Sequence, residues 1–160
     1  MGDKIAGNQS GFTLMEMMVV VAVMAVMAAI AIPAFMSLLP GMRLNGAARQ
    51  VMGDLMDARM EAVKQNNEFK VFFGSPSTNE YQILDDDDNN GTAVTGEALQ
   101  TKNIQDNYTD VTFSSNNDPI FHPRGTATNL ATITLKNTDG GCKEVKVSIT
   151  GRVKIAECES

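Results

Sequence analysis

The sequence predicts an α+β chain in which one long, kinked helix, about residues 12–66, packs on antiparallel β-sheets. Three observations lead there. No side chain between Glu16 and Arg43 carries a charge, and Met17 to Ile32 is almost entirely Met, Val, Ala and Ile. Beyond Pro40-Gly41 the apolar residues recur at spacings of three and four, the period of an amphipathic helix. From Glu68 onward the period changes to two.

The uncharged run is the first element. At ~1.5 Å rise per residue, about twenty apolar residues span a ~30 Å hydrocarbon core. Apolar character continues past Pro33 through Phe35, Met36, Leu38 and Leu39, so the segment reads as a membrane-spanning helix. The order of parts is not that of a secretory signal peptide, which places its cleavage site after the apolar region, beside small residues. Here a short polar leader, Met1 to Gly11, and a Gly11-Phe12 junction come first. Ala28-Ala29 and Ala31 imitate a cleavage site, but the apolar segment runs straight through them. Glu16 stands at the head of the run, and a carboxylate near a membrane is costly without a partner. Cleavage after Gly11 would supply one in the new amino group of Phe12.

Gly11-Phe12-Thr13-Leu14-Met15-Glu16 closely resembles the class III leader of type IV pilins and pseudopilins, and Pro33 matches a helix-kinking proline common in that family. The resemblance implies that a prepilin peptidase cuts between Gly11 and Phe12 and N-methylates the new amine. It implies that Glu16, fifth in the mature chain, pairs with the amino terminus of a neighbouring subunit during assembly. It also implies an inner-membrane platform protein and a cytoplasmic ATPase as assembly partners. The leader would lie in the cytoplasm and the bulk of the chain in the periplasm. Charge alone adds little, because Lys4 is the only basic residue before the run and Arg43 the first after it.

A length of 160 residues suits one domain plus the helix. The expected division is a leader over 1–11, the membrane and filament-core half of the helix over 12–40, and a globular domain over 41–160. Asp3 and Lys4 leave together with the leader, so the mature chain keeps the net charge of −6. Asp85, Asp86, Asp87, Asp88 and Glu97 hold most of that excess, so an anionic partner elsewhere on the surface is not excluded. Cys142 and Cys158 read as a disulfide if the domain is exported to an oxidising compartment, and otherwise as two unrelated buried thiols.

In the second half of the helix Leu44, Ala48, Val51, Leu55, Ala58 and Ala62 form the buried stripe, flanked by Met52, Met56 and Val63. Arg43, Arg49, Asp54, Asp57, Glu61 and Lys64 are expected mainly off it. Asp57 and Glu61 are like charges at i,i+4, so burial must stabilise the helix. Asn66-Asn67 ends it, because Asn tolerates left-handed geometry. Strands are then expected over 68–73, around Tyr81–Leu84, and at Ala98–Thr101, Val111–Phe113, Pro119–Phe121, Leu130–Leu135, Lys143–Ile149 and Arg152–Ile155. Val145, Val147 and Ile149 should share one face, and Thr150-Gly151 should turn the chain between the last two strands.

Leu55–Val63 resembles the end of the long helix in GspH/FimT-type pseudopilins and minor pilins. Phe121-His122-Pro123-Arg124-Gly125 is similar to their F-x-P-R-G segment, and Ser148–Lys154 to their terminal strand–G-R–strand signature. This implies a low-abundance structural subunit of a type IV pilus or a type II secretion pseudopilus. In some FimT-type members a G-R-x-R motif contacts incoming DNA; here it reads Gly151-Arg152-Val153-Lys154. Arg152 and Lys154 lie two apart on a strand and Lys143 and Lys146 on its neighbour, which makes a candidate nucleic-acid face; the plainer alternative is a solvated strand face. A secretion subunit that contacts exported cargo is a third reading.

Asp86-x-Asp88-x-Asn90-Gly91-Thr92, completed by Glu97, satisfies the EF-hand loop pattern, in which alternate oxygens wrap one hard cation. Val94 stands where a ligand often does and the flanks read as strands, so possible Ca2+ binding competes with a solvated turn. Arg124 is expected to tie loop carbonyls or a carboxylate together, with contact to a polyanion the less favoured alternative, and His122 to sit at a strand end. With a single histidine and no metal-site spacing among the cysteines, nothing argues for catalysis, and no cofactor is required.

Overall fold

The computed structural model describes residues 11–86 and 99–158. Helix α1 covers Leu14–Gln65. Among the described residues nine strands follow: β1 (Glu68–Phe73), β2 (Glu80–Asp86), β3 (Leu99–Asn103), β4 (Val111–Ser115), β5 (Ile120–Phe121), β6 (Ala127–Thr128), β7 (Thr132–Asn137), β8 (Cys142–Val147) and β9 (Val153–Glu157). One 3-10 turn, Ile104–Asp106, joins β3 to β4. The chain divides into two compact units, one ending at Leu38 and the other spanning Leu39–Ser160.

In the first unit the helix buries nothing. Its large apolar side chains, from Leu14 through Leu38, are exposed, and the best 18-residue window of α1 has a mean hydropathy of 2.7. By length and composition it is long and apolar enough to cross a membrane.

The second unit holds the core. Leu44, Ala47, Ala48, Val51, Leu55, Ala58 and Ala62 are buried along one face of α1, as their spacing predicts. Four alanines on that face let the sheets approach the helix closely. Asp54 departs from expectation, because it lies on the buried face at 8% exposure. Its charge is met there: Oδ2 accepts from the Tyr81 hydroxyl and Oδ1 from the Lys102 ammonium. The helix ends where its asparagines indicate. Asn66 has φ 57°, and the Asn67 N–H donates to the Ala62 carbonyl at 3.1 Å.

The strands form a five-stranded sheet in the order β3-β2-β1-β5-β6 and a four-stranded sheet in the order β4-β7-β8-β9. Every pairing is antiparallel. Phe73 and Tyr81 from the first sheet and Phe113 from the second pack with ring centroids 5.6–6.0 Å apart, closing the two sheets on each other.

Two expectations change at the far end of the second sheet. β8 stops at Val147, and Ile149 is 66% exposed instead of joining Val145 and Val147 in the core. The cause is the turn: the Ser148 N–H donates to the Arg152 carbonyl and the Gly151 N–H to Ser148, which lifts Ile149 to its tip. Arg152 therefore belongs to the turn, and β9 begins at Val153. The two-residue strand β6 was too short to leave a period in the sequence.

Candidate functional site

The residues singled out in the sequence fall in three places. At the head of α1, Gly11 and Phe12 are exposed. Thr13 caps the helix, its Oγ1 accepting from the Glu16 backbone N–H at 3.2 Å. Thr13-Leu14-Met15-Glu16 thus has the spacing of a capping box, and Glu16 lies in the first helical turn, where the positive end of the helix dipole favours a carboxylate. Behind it the exposed side chains of the first unit are uncharged. Pro33 lies within the bounds of α1.

The second place is the β8–β9 hairpin. Lys146 stands directly opposite Lys154 in the register. Val153 and Ile155 pack on the core, so Lys154 projects from the opposite face; Arg152, in the turn, lines the same depression, and both are exposed. Neither makes a side-chain hydrogen bond or ion pair among the described residues. Lys146 is shared with Glu144, whose Oε2 is 2.8 Å from its Nζ. Lys143 has the other parity and is ion-paired with Glu157, directly across from it, so it does not join this face. Lys146, Ser148, Thr150, Arg152 and Lys154 line a depression of about 290 Å³. The Cys142–Cys158 disulfide, with Cα atoms 5.8 Å apart, staples the last strand to β8 beside that face.

The third place is a pair of glycine turns under that hairpin. The Gly125 N–H donates to the His122 carbonyl at 2.8 Å, and Gly125 and Gly151 have φ of 75° and 71°. The turns touch, since a Cβ on Gly151 would lie 2.1 Å from the Gly125 carbonyl oxygen. Arg59 of α1 ties them together. Its Nε donates to the Gly125 carbonyl at 2.8 Å, and its Nη2 makes a longer contact, 3.5 Å, with the Thr150 carbonyl. The carbonyl-tying role expected of Arg124 thus belongs to Arg59, and Arg124 is exposed. His122 follows β5 and bridges Glu68, 2.7 Å from Nδ1, and Thr128, 3.0 Å from Nε2.

Of the possible Ca2+ ligands, Asp88, Asn90, Thr92 and Glu97 lie outside the described residues. Asp86 closes β2 and is fully buried. Among the described residues no three His, Cys, Asp or Glu side chains are placed to share a metal ion.

Residues 7–32 match the model of the prokaryotic N-terminal methylation motif, and residues 47–151 match that of the type II transport protein GspH. No curated protein matches the chain by sequence. Among solved structures, the type IV minor pilin FimU of Pseudomonas aeruginosa is similar at a TM-score of 0.52 and 20% identity, over 71% of this chain and 87% of that one. The minor pseudopilin EpsH of the Vibrio cholerae type 2 secretion system is similar at a TM-score of 0.56 and 11% identity, over 72% of this chain and 97% of that one. These likenesses carry the fold, a long helix packed on antiparallel sheets. The GspH match runs from the buried half of the helix to the Gly151 turn, and on it the chain belongs to the GspH family of minor pilins and pseudopilins.

Proposed function

We propose that this chain is a membrane-anchored structural subunit of a type IV pilus or a type II secretion pseudopilus. The observation that carries the reading is the first unit itself. Its helix exposes large apolar side chains from Leu14 to Leu38, behind one carboxylate, Glu16. Such a surface is stable only in lipid or against other helices of its kind. Before assembly the helix sits in the inner membrane with the Leu39–Ser160 unit in the periplasm. A prepilin peptidase removes residues 1–11 and methylates Phe12, and a platform protein driven by a cytoplasmic ATPase extracts the subunit into the filament. There Glu16 meets the amine of a neighbouring subunit, which removes the cost of an unpaired charge among packed apolar helices. Glu16→Ala is expected to insert in the membrane as wild type does and to be absent from sheared filaments. Normal incorporation of that variant would overturn the charge-pairing step.

A second reading, DNA binding, is favoured by one observation: Lys154 and Lys146 face each other across the hairpin, with Arg152 beside them. Clustered cations of this kind bind phosphates without regard to sequence and lose affinity as salt rises. The test is a gel shift of duplex DNA by the full chain in detergent micelles, against the Arg152→Ala/Lys154→Ala double variant. Retardation by wild type and its loss in the variant support the reading, and no retardation by either defeats it.

A further inference from the structure

Arg124 is exposed and has no hydrogen-bonding or ionic partner among the described residues. It stands one residue before Gly125, and Arg152 stands one residue after Gly151. The two glycines are in contact, so each arginine Cα is only ~3.8 Å along the chain from the junction. The two turns come from segments far apart in sequence, one following β5 and the other joining β8 to β9. What holds them in register is α1, through Arg59 Nε on the Gly125 carbonyl at 2.8 Å and Nη2 near the Thr150 carbonyl. The Ala127 N–H adds a bond to the Ile149 carbonyl at 3.0 Å. Neither glycine accepts a side chain. A Cβ on Gly151 would meet Gly125 and Arg59 Nε, at 2.1 and 2.7 Å, and one on Gly125 would lie 3.3 Å from Arg59 Nη2. The junction is therefore built so that backbone meets backbone around one guanidinium.

We propose that Arg124 extends the cationic face of Arg152, Lys154 and Lys146 into one continuous path for a phosphodiester backbone, and that Arg59 is the positioning residue that sets the spacing between its two arginines. The proposal rests on the DNA-binding reading and names two residues outside the hairpin that the reading needs. Arg59 is half-buried against the two turns and acts through them, with Nε on the Gly125 carbonyl and Nη2 near that of Thr150. Arg124 is free to touch the ligand, because it is exposed and has no carbonyl or carboxylate partner among the described residues.

The test is fluorescence anisotropy of a labelled duplex DNA with the full chain in detergent micelles, repeated across a salt series. Arg124→Ala is expected to weaken binding about threefold to tenfold at 0.1 M salt and to lower the log–log salt slope by about one, the signature of one lost phosphate contact. Arg59→Lys, which keeps the charge but loses the planar fork, is expected to weaken binding to a similar extent with Arg124, Arg152 and Lys154 all present. Circular dichroism at the assay temperature verifies that this variant is folded, and a loss of salt slope in a folded protein separates positioning from simple destabilisation. If Arg124→Ala keeps wild-type affinity and slope while Arg152→Ala/Lys154→Ala weakens, the path ends at the hairpin; the proposal is overturned and DNA binding stands. If wild type itself leaves the DNA unbound at low salt, the DNA-binding reading and the proposal fall together.

Discussion

Tyr81 donates its phenolic hydroxyl to Oδ2 of Asp54, across the contact between β2 and the buried face of α1. Burial pushes the Tyr81 phenol well above the ordinary tyrosine range, and the Asp54 carboxylate pushes it further the same way. The folded state thus holds the Tyr81 proton more tightly than the unfolded chain does. Stability from this term is intact below the ordinary tyrosine pKa of about 10 and falls as pH rises beyond it, because only the unfolded chain then ionises. Tyr81→Phe is expected to cost about 1 kcal/mol at neutral pH, the usual worth of one hydrogen bond, and to flatten the alkaline decline. Urea titrations at pH 7 and above pH 10 check both, and an unchanged alkaline decline in the variant would count against this assignment.

The same contact shows where legibility in the sequence stopped. Leu44, Val51, Leu55 and Ala62 repeat with the helical period, and Ile133 and Leu135 with the strand period, so the layers could be read from period alone. Asp54 was misplaced because a charge on a buried face is compatible with the fold only when distant partners reach it. Tyr81 and Lys102 lie 27 and 48 residues away, beyond any local pattern. Arg59 was missed for the same reason, since its carbonyl acceptors are 66 and 91 residues further on. The cations of β8 and β9 were visible as types, but only the register shows that Lys146 faces Lys154 while Lys143 faces Glu157.

Two glycines should respond to alanine in opposite directions. At Gly151, with φ 71°, a Cβ would lie 2.1 Å from the Gly125 carbonyl oxygen, so the turn has to open. Gly151→Ala is expected to cost about 2 kcal/mol or more. At Gly53, inside α1, a Cβ meets nothing within 4 Å. Gly53→Ala is expected to add about 0.5–1 kcal/mol by helix propensity alone. Thermal melts of the two variants in the same detergent decide the matter, and a stabilising Gly151→Ala would contradict the described junction.

Calcium is tested by the same measurement. The Asp86–Glu97 spacing matches a Ca2+ loop in sequence, and occupancy of such a loop stabilises the folded state by mass action. Millimolar Ca2+ is then expected to raise Tm in wild type and to leave Asp88→Ala unchanged. Identical curves for wild type with and without Ca2+ would return the acidic run to the role of a solvated turn.

The Cys142–Cys158 bond closes the β8–β9 hairpin at the end remote from its turn, 16 residues apart in sequence. Among the described residues β9 is an edge strand paired only with β8, which sets its register. Next to the disulfide, the Lys143–Glu157 pair has a carboxylate that is 76% exposed and adds little in water. The chain-entropy model gives a loop of this length about 3 kcal/mol. Replacing both cysteines with alanine is expected to lower unfolding stability by roughly that amount. It should first loosen β9, so amide exchange in Val153–Glu157 speeds up before exchange in β7 does. Lys154 is carried by that segment and Arg152 immediately precedes it, so under the DNA-binding proposal the oxidised protein should bind duplex DNA more tightly than the reduced one. Equal affinity in both redox states, with β9 exchange accelerated in the reduced one, would separate the hairpin's order from the cationic face it carries.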